Sequence, residues 1–290
     1  MSEITTGIAN FARAVTSDAL PLEVRQGAIQ ALDTVLSQAL SAIGEPLVSS
    51  IGRTLSRFGS SSELPSIGTD LPLSFAYAAM TLGTAASLGM SSDSLLVARL
   101  STAVVPACFI AARIGTCADE DLLVSIAVGL EIASRSADAL GPRHVERGWD
   151  VVGSAGRLGA TVGAALALGL TAAEIADALG FACTTSAGLS VGGKQLAALS
   201  AGKTAADSVE AALLAKNGLI GPPSPIEGRR GLFALVAREG DPAQILHGLG
   251  ESWQFSMTGE TMLFASAIES SRSGARSIAT VFDSAVANAQ

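Results

Sequence analysis

The sequence predicts an all-α protein, and three observations favour this fold class. Apolar residues recur at helical spacing in several long segments, and no segment sustains the alternation typical of a strand. Small residues and leucine dominate, whereas aromatic residues make up only 4% of the chain, which suits closely packed helices. A length of 290 residues is ample for one large core, so we expect a single helical domain over residues 1–290.

Helical patterns occupy most of the N-terminal part. A first long helix is predicted over 21–43, from the spacing of Val24, Ile29, Leu32, Val35, Leu36 and Leu40. Residues 44–70 are rich in Gly, Ser and Pro and contain only a weak amphipathic piece at 47–58. Two apolar helices, 71–88 and 95–112, follow and flank a short polar linker.

Capping signals place the helices in the middle of the chain. Thr116 is expected to cap the next helix, whose first turn is acidic, and Gly141-Pro142 ends that helix. Residues 151–168 form a helix rich in small residues. The segment Thr171-Ala-Ala-Glu174 has the sequence of a capping box, which predicts a further helix from that point.

Helices alternate with turns in the C-terminal part. A helix is predicted over 204–216, where Asn217-Gly218 stops it. The proline-rich segment 221–225 is a turn, and Asp241-Pro242 opens a short helix. A last long helix is predicted over 261–287.

Composition and charge exclude several classes of function. A net charge of −8 without a basic stripe argues against nucleic acid binding. The longest charge-free apolar run, between Arg99 and Arg113, is interrupted by Pro106 and is shorter than the roughly 20 residues of a membrane span. The N-terminus lacks the pattern of a signal peptide. The three scattered cysteines fit reduced thiols, so we expect a cytoplasmic protein with no membrane partner.

No metal or cofactor site is predicted. The sequence has no Cys/His cluster with the spacing of metal ligands. Gly202-Lys203-Thr204 is similar to the end of a P-loop, but the earlier glycine and the preceding strand are missing. We therefore expect chemistry, if any, without a metal or a cofactor.

Several segments, taken in order, resemble the helical domain of one protein family. They are Gly129–Arg135, Asp150–Gly156, Lys203–Ala206, Gly221-Pro222 and Ile226–Gly228. The arrangement is similar to that of the MmgE/PrpD family, which includes 2-methylcitrate dehydratase, cis-aconitate decarboxylase and iminodisuccinate epimerase. The resemblance implies an all-α domain that forms a homodimer and acts on a small molecule. The α+β lid domain of the family is expected to be missing.

The same resemblance implies that most of the family's chemistry has been replaced. The family motif N-G-x-x-x-H-x-L-D-F-D-D-T corresponds to residues 82–94, and its H-P-S motif corresponds to 99–101. The residues now at the functional positions are Ser87, Met90, Asp93, Ser94 and, in the second motif, Arg99. The K-x-Y-P motif of the family has no counterpart in residues 256–264.

Two further family positions have counterparts later in the chain. A family histidine before the central helix corresponds to Asp150. The family lysine that binds a substrate carboxylate corresponds to Lys194 if three extra residues are allowed, and to Ala197 in a strict alignment. The resemblance therefore implies substrate-binding roles for Ser87, Met90, Ser94 and Lys194.

Acid–base chemistry on a carboxylate substrate needs a base beside a C–H bond and cations that hold the carboxylate. The candidate catalytic residues are Asp93, Arg99, Asp150 and His144. Each candidate also has a structural interpretation: both aspartates can cap helices, and His144 and Lys194 can be solvated loop residues. A buried Arg99 can pair with Asp93 instead of a ligand. His247, the other histidine, is expected to be structural.

Three functions remain open at this stage. The first is a divergent lyase, isomerase or cyclase in a biosynthetic pathway, where Met90 and Leu100 would suit a less charged substrate than a tricarboxylate. The second is a non-catalytic scaffold or partner of another enzyme. The third is a binding module for an apolar metabolite. The polar residues kept at Asp93, Ser94 and Arg99 favour the first.

Overall fold

The computed structural model describes residues 3–58, 64, 66–91, 94–186, 188–190, 192–237, 239–257, 264 and 277–289. It confirms the all-α prediction, because 72% of the structure is helical and the described residues form isolated bridges but no strand. In chain order the helices are α1 (Glu3–Ala14), α2 (Leu22–Ser41), α3 (Pro46–Leu55), α4 (Phe75–Gly89), α5 (Leu96–Gly115), α6 (Asp119–Leu140), α7 (Pro142–Glu146), α8 (Arg157–Ala167), α9 (Ala172–Thr184), α10 (Lys194–Lys216), α11 (Leu232–Val236) and α12 (Ile278–Ala289).

Local sequence signals account for several of these boundaries. The capping box before α9 is complete, since the Thr171 hydroxyl accepts from the Glu174 amide and the Glu174 carboxylate accepts from the Thr171 amide. Gly141 ends α6 with a φ of 74°, a conformation that glycine adopts without strain. The predicted helix at 151–168 is a π-helical turn, Val152–Gly156, that runs directly into α8.

The predicted cap at Thr116 was wrong. Thr116 ends α5 in the left-handed region, with a φ of 53°. Helix α6 begins after Ala118, which makes no side-chain cap. Three acidic residues, Asp119, Glu120 and Asp121, occupy its first turn and stabilise this end through the helix dipole instead.

Helices α10 and α1 differ most from the prediction. Helix α10 begins at Lys194 rather than at residue 204, because the intervening residues are good helix formers and Gly202 packs against α4 instead of ending the helix. Helix α1 was not predicted, although Ile4, Ile8 and Ala12 are buried at helical spacing. Of the predicted helix at 261–287, residues 261–263 and 265–276 lie outside the described residues.

Glycines let the central helices approach each other closely. At the crossing of α4 and α10, a methyl group on Gly202 would collide with the Met80 carbonyl oxygen, and one on Gly83 would be 3.0 Å from the Gly202 Cα. At the crossing of α6 and α8, a methyl group on Gly159 would collide with the Gly129 carbonyl oxygen. The small-residue pattern of the sequence is therefore used for helix packing.

Helix α5 runs through the core. Its length and composition would allow it to cross a membrane, but 72% of its apolar stretch is buried in the protein, as in a core helix. Pro106 lies inside it and has no N–H to donate to the Thr102 carbonyl. The backbone of Gly83 packs against that oxygen, where an added methyl group would be only 2.8 Å away.

A buried ion pair attaches the segment after residue 246 to α6. Glu131 and Arg135 have fully buried side chains, and the Arg135 Nε lies 2.5 Å from the Glu131 Oε1. The guanidinium also donates to three backbone carbonyls, those of His247, Gly248 and Ser252. The Glu131 carboxylate accepts from the amides of Gln254 and Phe255. This part of the resembling segment Gly129–Arg135 is therefore structural. That all 290 residues form one domain stays a prediction.

Candidate functional site

A cavity of about 320 Å³ opens where α4 ends and where α5, α10 and the π-helical turn begin. Its lining residues are Ser87, Met90, Ser91, Arg99, Thr102, Asp150, Val152, Lys194, Ala197 and Ala201. Five of these, Ser87, Met90, Arg99, Asp150 and Lys194, are residues that the sequence singled out. The chain brings them together from positions more than a hundred residues apart.

Among the described residues that line this cavity, Asp150 supplies a carboxylate. Its Oδ1 accepts from the Val152 amide at 3.1 Å, which is the capping interaction expected from the sequence. Its Oδ2 accepts from the Ser200 hydroxyl at 2.5 Å. The Asp150 amide donates to the Gly188 carbonyl at 3.0 Å. Both oxygens and the backbone are therefore held in place, so the capping role and a position in the cavity coexist.

Arg99 and Lys194 supply the positive charge of the cavity. Both side chains are exposed, and within the described part of the chain neither makes an ion pair. The alternative of a buried Arg99 does not apply, because this residue lies near the start of α5 and is exposed. Lys194 is the first residue of α10 and not a loop residue. Both cations are therefore placed where they could bind an anion in the cavity.

The alignment ambiguity between Lys194 and Ala197 has a simple structural resolution. The two residues are three positions apart on α10, so they lie on the same face, and both line the cavity. A lysine one turn earlier than expected therefore still reaches the site. The apolar lining comes from Met90, Val152 and Ala201, all buried.

The structure does not place the remaining candidates, from the α4–α5 linker and the start of α5, in the lining of the cavity. Ser94 is half-buried and does not line the cavity; its hydroxyl donates to the Ser91 carbonyl at 2.8 Å in a local turn. Asp93 lies outside the described residues. Leu100 is fully buried in the core, one residue after Arg99, and it does not line the cavity.

His144 is neither a solvated loop residue nor part of the cavity. Only 2% of it is exposed, its Nδ1 is 3.1 Å from the Val236 carbonyl, and its Nε2 is 2.8 Å from the Ser154 hydroxyl. Burial lowers the pKa of its imidazole, and the bond to Val236 and the nearby Asp150 carboxylate oppose this shift. The ring is therefore neutral near pH 7. A role as the base that touches substrate is not compatible with this position.

The remaining reactive groups lie away from the cavity. The His247 side chain is exposed, and the residue acts structurally through its carbonyl, which accepts from Arg135. All three cysteines are free thiols. Burial raises the pKa of Cys117 to about 11 and of Cys183 to about 12, and burial also raises that of Cys108. None is a thiolate at neutral pH. Within the described residues, no group of His, Cys, Asp or Glu could hold a metal ion.

Sequence reasoning missed Ser200, which orients Asp150 from a position fifty residues later. It also missed Thr102, whose hydroxyl donates back to the Arg99 carbonyl at 2.6 Å and whose side chain is buried at the cavity. No local signal distinguishes either residue from the many other serines and threonines of the chain. Only the packing of α5, α10 and the π-helical turn brings them to the site.

Comparison with known families decides the affiliation of this fold and site. The model of the MmgE/PrpD N-terminal domain matches residues 6–245. The chain belongs to the MmgE/PrpD family. The matched part contains all of the described residues that line the cavity, so these parts of the candidate site belong to the MmgE/PrpD domain. No curated protein matches the chain.

Proposed function

We propose that this MmgE/PrpD protein is a divergent lyase, isomerase or cyclase that acts on a small carboxylate with an apolar body. One observation carries the proposal: a fixed carboxylate, Asp150, shares a cavity with two cations, Arg99 and Lys194, that make no ion pair with any residue the structure describes. Asp150 is the candidate base that removes a proton from carbon. The cations are the candidate groups that hold the substrate carboxylate and stabilise the negative charge that develops.

Helix ends add to this positive potential. Helices α5 and α10 are twenty and twenty-three residues long, and neither has a side-chain cap at its N-terminus. Their first turns carry Arg99, Lys194 and Ala197 to the cavity. The N-terminal end of a helix favours an anion through its dipole and its free amides. This end of the cavity therefore favours a carboxylate both through the charges of Arg99 and Lys194 and through the two helix N-termini.

The buried apolar residues of the cavity indicate that the rest of the substrate is apolar. Met90 replaces a family aspartate and, with Val152 and Ala201, gives the cavity an apolar wall. Such a wall does not compensate the desolvation of a second or third carboxylate. We therefore propose a substrate with one carboxylate and an apolar body, of the kind used in biosynthesis. No cofactor is part of this mechanism.

A binding module without turnover is the second candidate. Its support is that neither histidine lines the cavity and that both oxygens of Asp150 already accept hydrogen bonds. Two of the lone pairs of this carboxylate are therefore already used to hold it in place, which leaves fewer to accept a proton from a substrate. A non-catalytic scaffold would require neither the cavity nor its free cations.

The first test is proton NMR in D₂O with a panel of mono- and dicarboxylates of increasing apolar size. Proton removal predicts loss of a C–H signal or a new alkene signal. Asp150→Asn should slow this reaction by about 10²-fold or more. Arg99→Met and Lys194→Met should each weaken binding about tenfold or more, as expected for a lost charge-assisted hydrogen bond.

Matched controls separate the cavity from general effects of charge. Asp138→Asn and Arg53→Met remove the same charges at exposed positions that do not line the cavity. Both should leave binding and turnover unchanged. Saturable shifts without chemical change would favour the binding module, and no binding at all would contradict both proposals.

We also propose a cytoplasmic homodimer. Leu95, Leu96 and Leu196 are exposed apolar residues in or beside the first turns of α5 and α10, close in sequence to the two cavity cations. Burial of these leucines against a second copy would be favourable. Light scattering should give twice the chain mass, and Leu95→Glu should shift the protein towards the monomer.

A further inference from the structure

His144 contacts both sides of Asp150 along the chain. Its backbone carbonyl accepts from the amide of Trp149, at 3.2 Å, and its ring stacks on the Trp149 indole with an angle of 11° between the planes. Its Nε2 lies 2.8 Å from the hydroxyl of Ser154, in the π-helical turn. One side chain therefore holds the residue before Asp150 and the turn after it.

The hydrogen-bond directions follow from the partners. The Val236 carbonyl is only an acceptor, so Nδ1 carries the proton of the neutral ring. Nε2 is then an acceptor, and the Ser154 hydroxyl donates to it. Ser154 is also joined to Asp150, because its amide donates to the Asp150 carbonyl at 3.1 Å. The Ser154 Oγ lies 2.9 Å from the same carbonyl oxygen, but its single proton is directed to Nε2, so the amide makes this link.

The π-helical turn after Asp150 is the part of the backbone on which the position of the carboxylate depends. The turn that starts just after Asp150 is π-helical, a form that is rare and usually found as a short piece near functional sites. The Val152 amide, which binds the Asp150 carboxylate, is in this turn. A shift of the turn would move the carboxylate relative to the cavity.

We propose that His144 is a positioning residue for Asp150, acting through the Ser154 hydroxyl on the π-helical turn that orients the carboxylate. This inference rests on the proposed role of Asp150 in the cavity. The alternative is that His144 only anchors α11, through its bond to Val236. The two roles use different ring nitrogens, so they can be separated by substitution.

Two conservative variants each keep one of the two bonds. In His144→Asn the amide nitrogen can replace Nδ1 and donate to Val236, but nothing reaches Ser154. In His144→Gln the longer side chain can place its amide oxygen at Nε2 and accept from Ser154, but the bond to Val236 is lost. Ser154→Ala removes the shared hydroxyl directly.

The first readout is hydrogen exchange of the Val152 amide, which does not depend on activity. We expect His144→Asn and Ser154→Ala to speed this exchange about tenfold, in line with the loss of one hydrogen bond, and His144→Gln to preserve it. The double variant of His144→Asn and Ser154→Ala should be no faster than either single variant. Ser284→Ala, which removes the hydrogen bond of another serine hydroxyl, on α12, is the control.

The opposite pattern, with His144→Gln impaired and His144→Asn unchanged, would overturn the proposal in favour of simple anchoring of α11. The second readout is turnover, where a positioning role predicts a lower kcat with little change in KM. If exchange follows the predicted pattern but Asp150→Asn retains full turnover, the proposed function fails and the positioning role of His144 stands. If exchange does not respond, the positioning role fails whatever the activity.

Discussion

Removal of Arg135 should strongly destabilise the protein, because it would leave the buried negative charge of Glu131 without a counter-ion. Arg135→Met would leave the Glu131 carboxylate fully buried without its cation, and would leave the carbonyls of His247, Gly248 and Ser252 without their donor. Breaking a buried pair from one side costs about 3–5 kcal/mol. We therefore expect the free energy of unfolding to fall by about this amount.

Urea unfolding at pH 7 measures this loss, and a second variant identifies its source. Glu131→Gln keeps an oxygen that accepts from the amides of Gln254 and Phe255 but removes the charge. In that background Arg135→Met should cost less than it does alone, since no uncompensated charge remains. Exchange of the Gln254 and Phe255 amides should increase in Arg135→Met.

Arg25→Met is the matched control for this prediction. Arg25 also forms a bidentate pair, with Glu120, but the side chains are 11% and 36% exposed, so the loss should be only about 0–1 kcal/mol. A cost below about 1 kcal/mol for Arg135→Met, or equal costs for the two arginines, would refute the reasoning about the buried pair.

Four further predictions test packing, titration, capping and the cavity. Gly202→Ala should lower the free energy of unfolding in urea by roughly 1–3 kcal/mol, because the added methyl group would collide with the α4 backbone. Gly44→Ala is the control and should have little effect, because its methyl group would have no neighbour within 4 Å. Equal effects of the two variants would contradict the close crossing of α4 and α10. Because burial lowers the pKa of His144, the unfolded state takes up a proton before the folded state does as the pH falls. The contribution of His144 to the free energy of unfolding should therefore be complete above about pH 6.5 and decrease below it. His144→Gln should flatten the dependence of stability on pH in this range, and an unchanged slope would contradict the lowered pKa of His144. Thr171→Ala should lower the free energy of unfolding by about 1 kcal/mol through the loss of the α9 cap. No measurable change would show that the capping box is dispensable. Ala197→Phe places a ring at the exposed edge of the cavity and should abolish ligand shifts in NMR without changing stability; retained binding would place the ligand elsewhere.

The fold was largely predictable because its signals are local. The capping box at Thr171 and the helix stop at Gly141-Pro142 depend on residues within a few positions of each other, and both are present as expected. The start of α10 was not predictable in this way. Gly202 suggests a break, and only the close contact with α4 shows that the helix passes through it.

The site was predictable only in part, through the family resemblance. That resemblance selected Met90, Asp150 and Lys194, and the helices bring them to one cavity. The burial of His144 depends on Val236 and Ser154, which are ninety-two and ten residues away, and no local pattern encodes these contacts. The apolar neighbours of Arg99 left a buried position open, but its place near the start of α5 exposes it.

The central claim is that Asp150 removes a proton from a carboxylate bound by Arg99 and Lys194. The most direct test is the rate of C–H loss in D₂O, followed by proton NMR, for the wild type, Asp150→Asn and the control Asp138→Asn. Our account predicts that Asp150→Asn reacts about 10²-fold or more slowly, with unchanged melting temperature, and that the control reacts like the wild type. A wild-type rate in Asp150→Asn would contradict it.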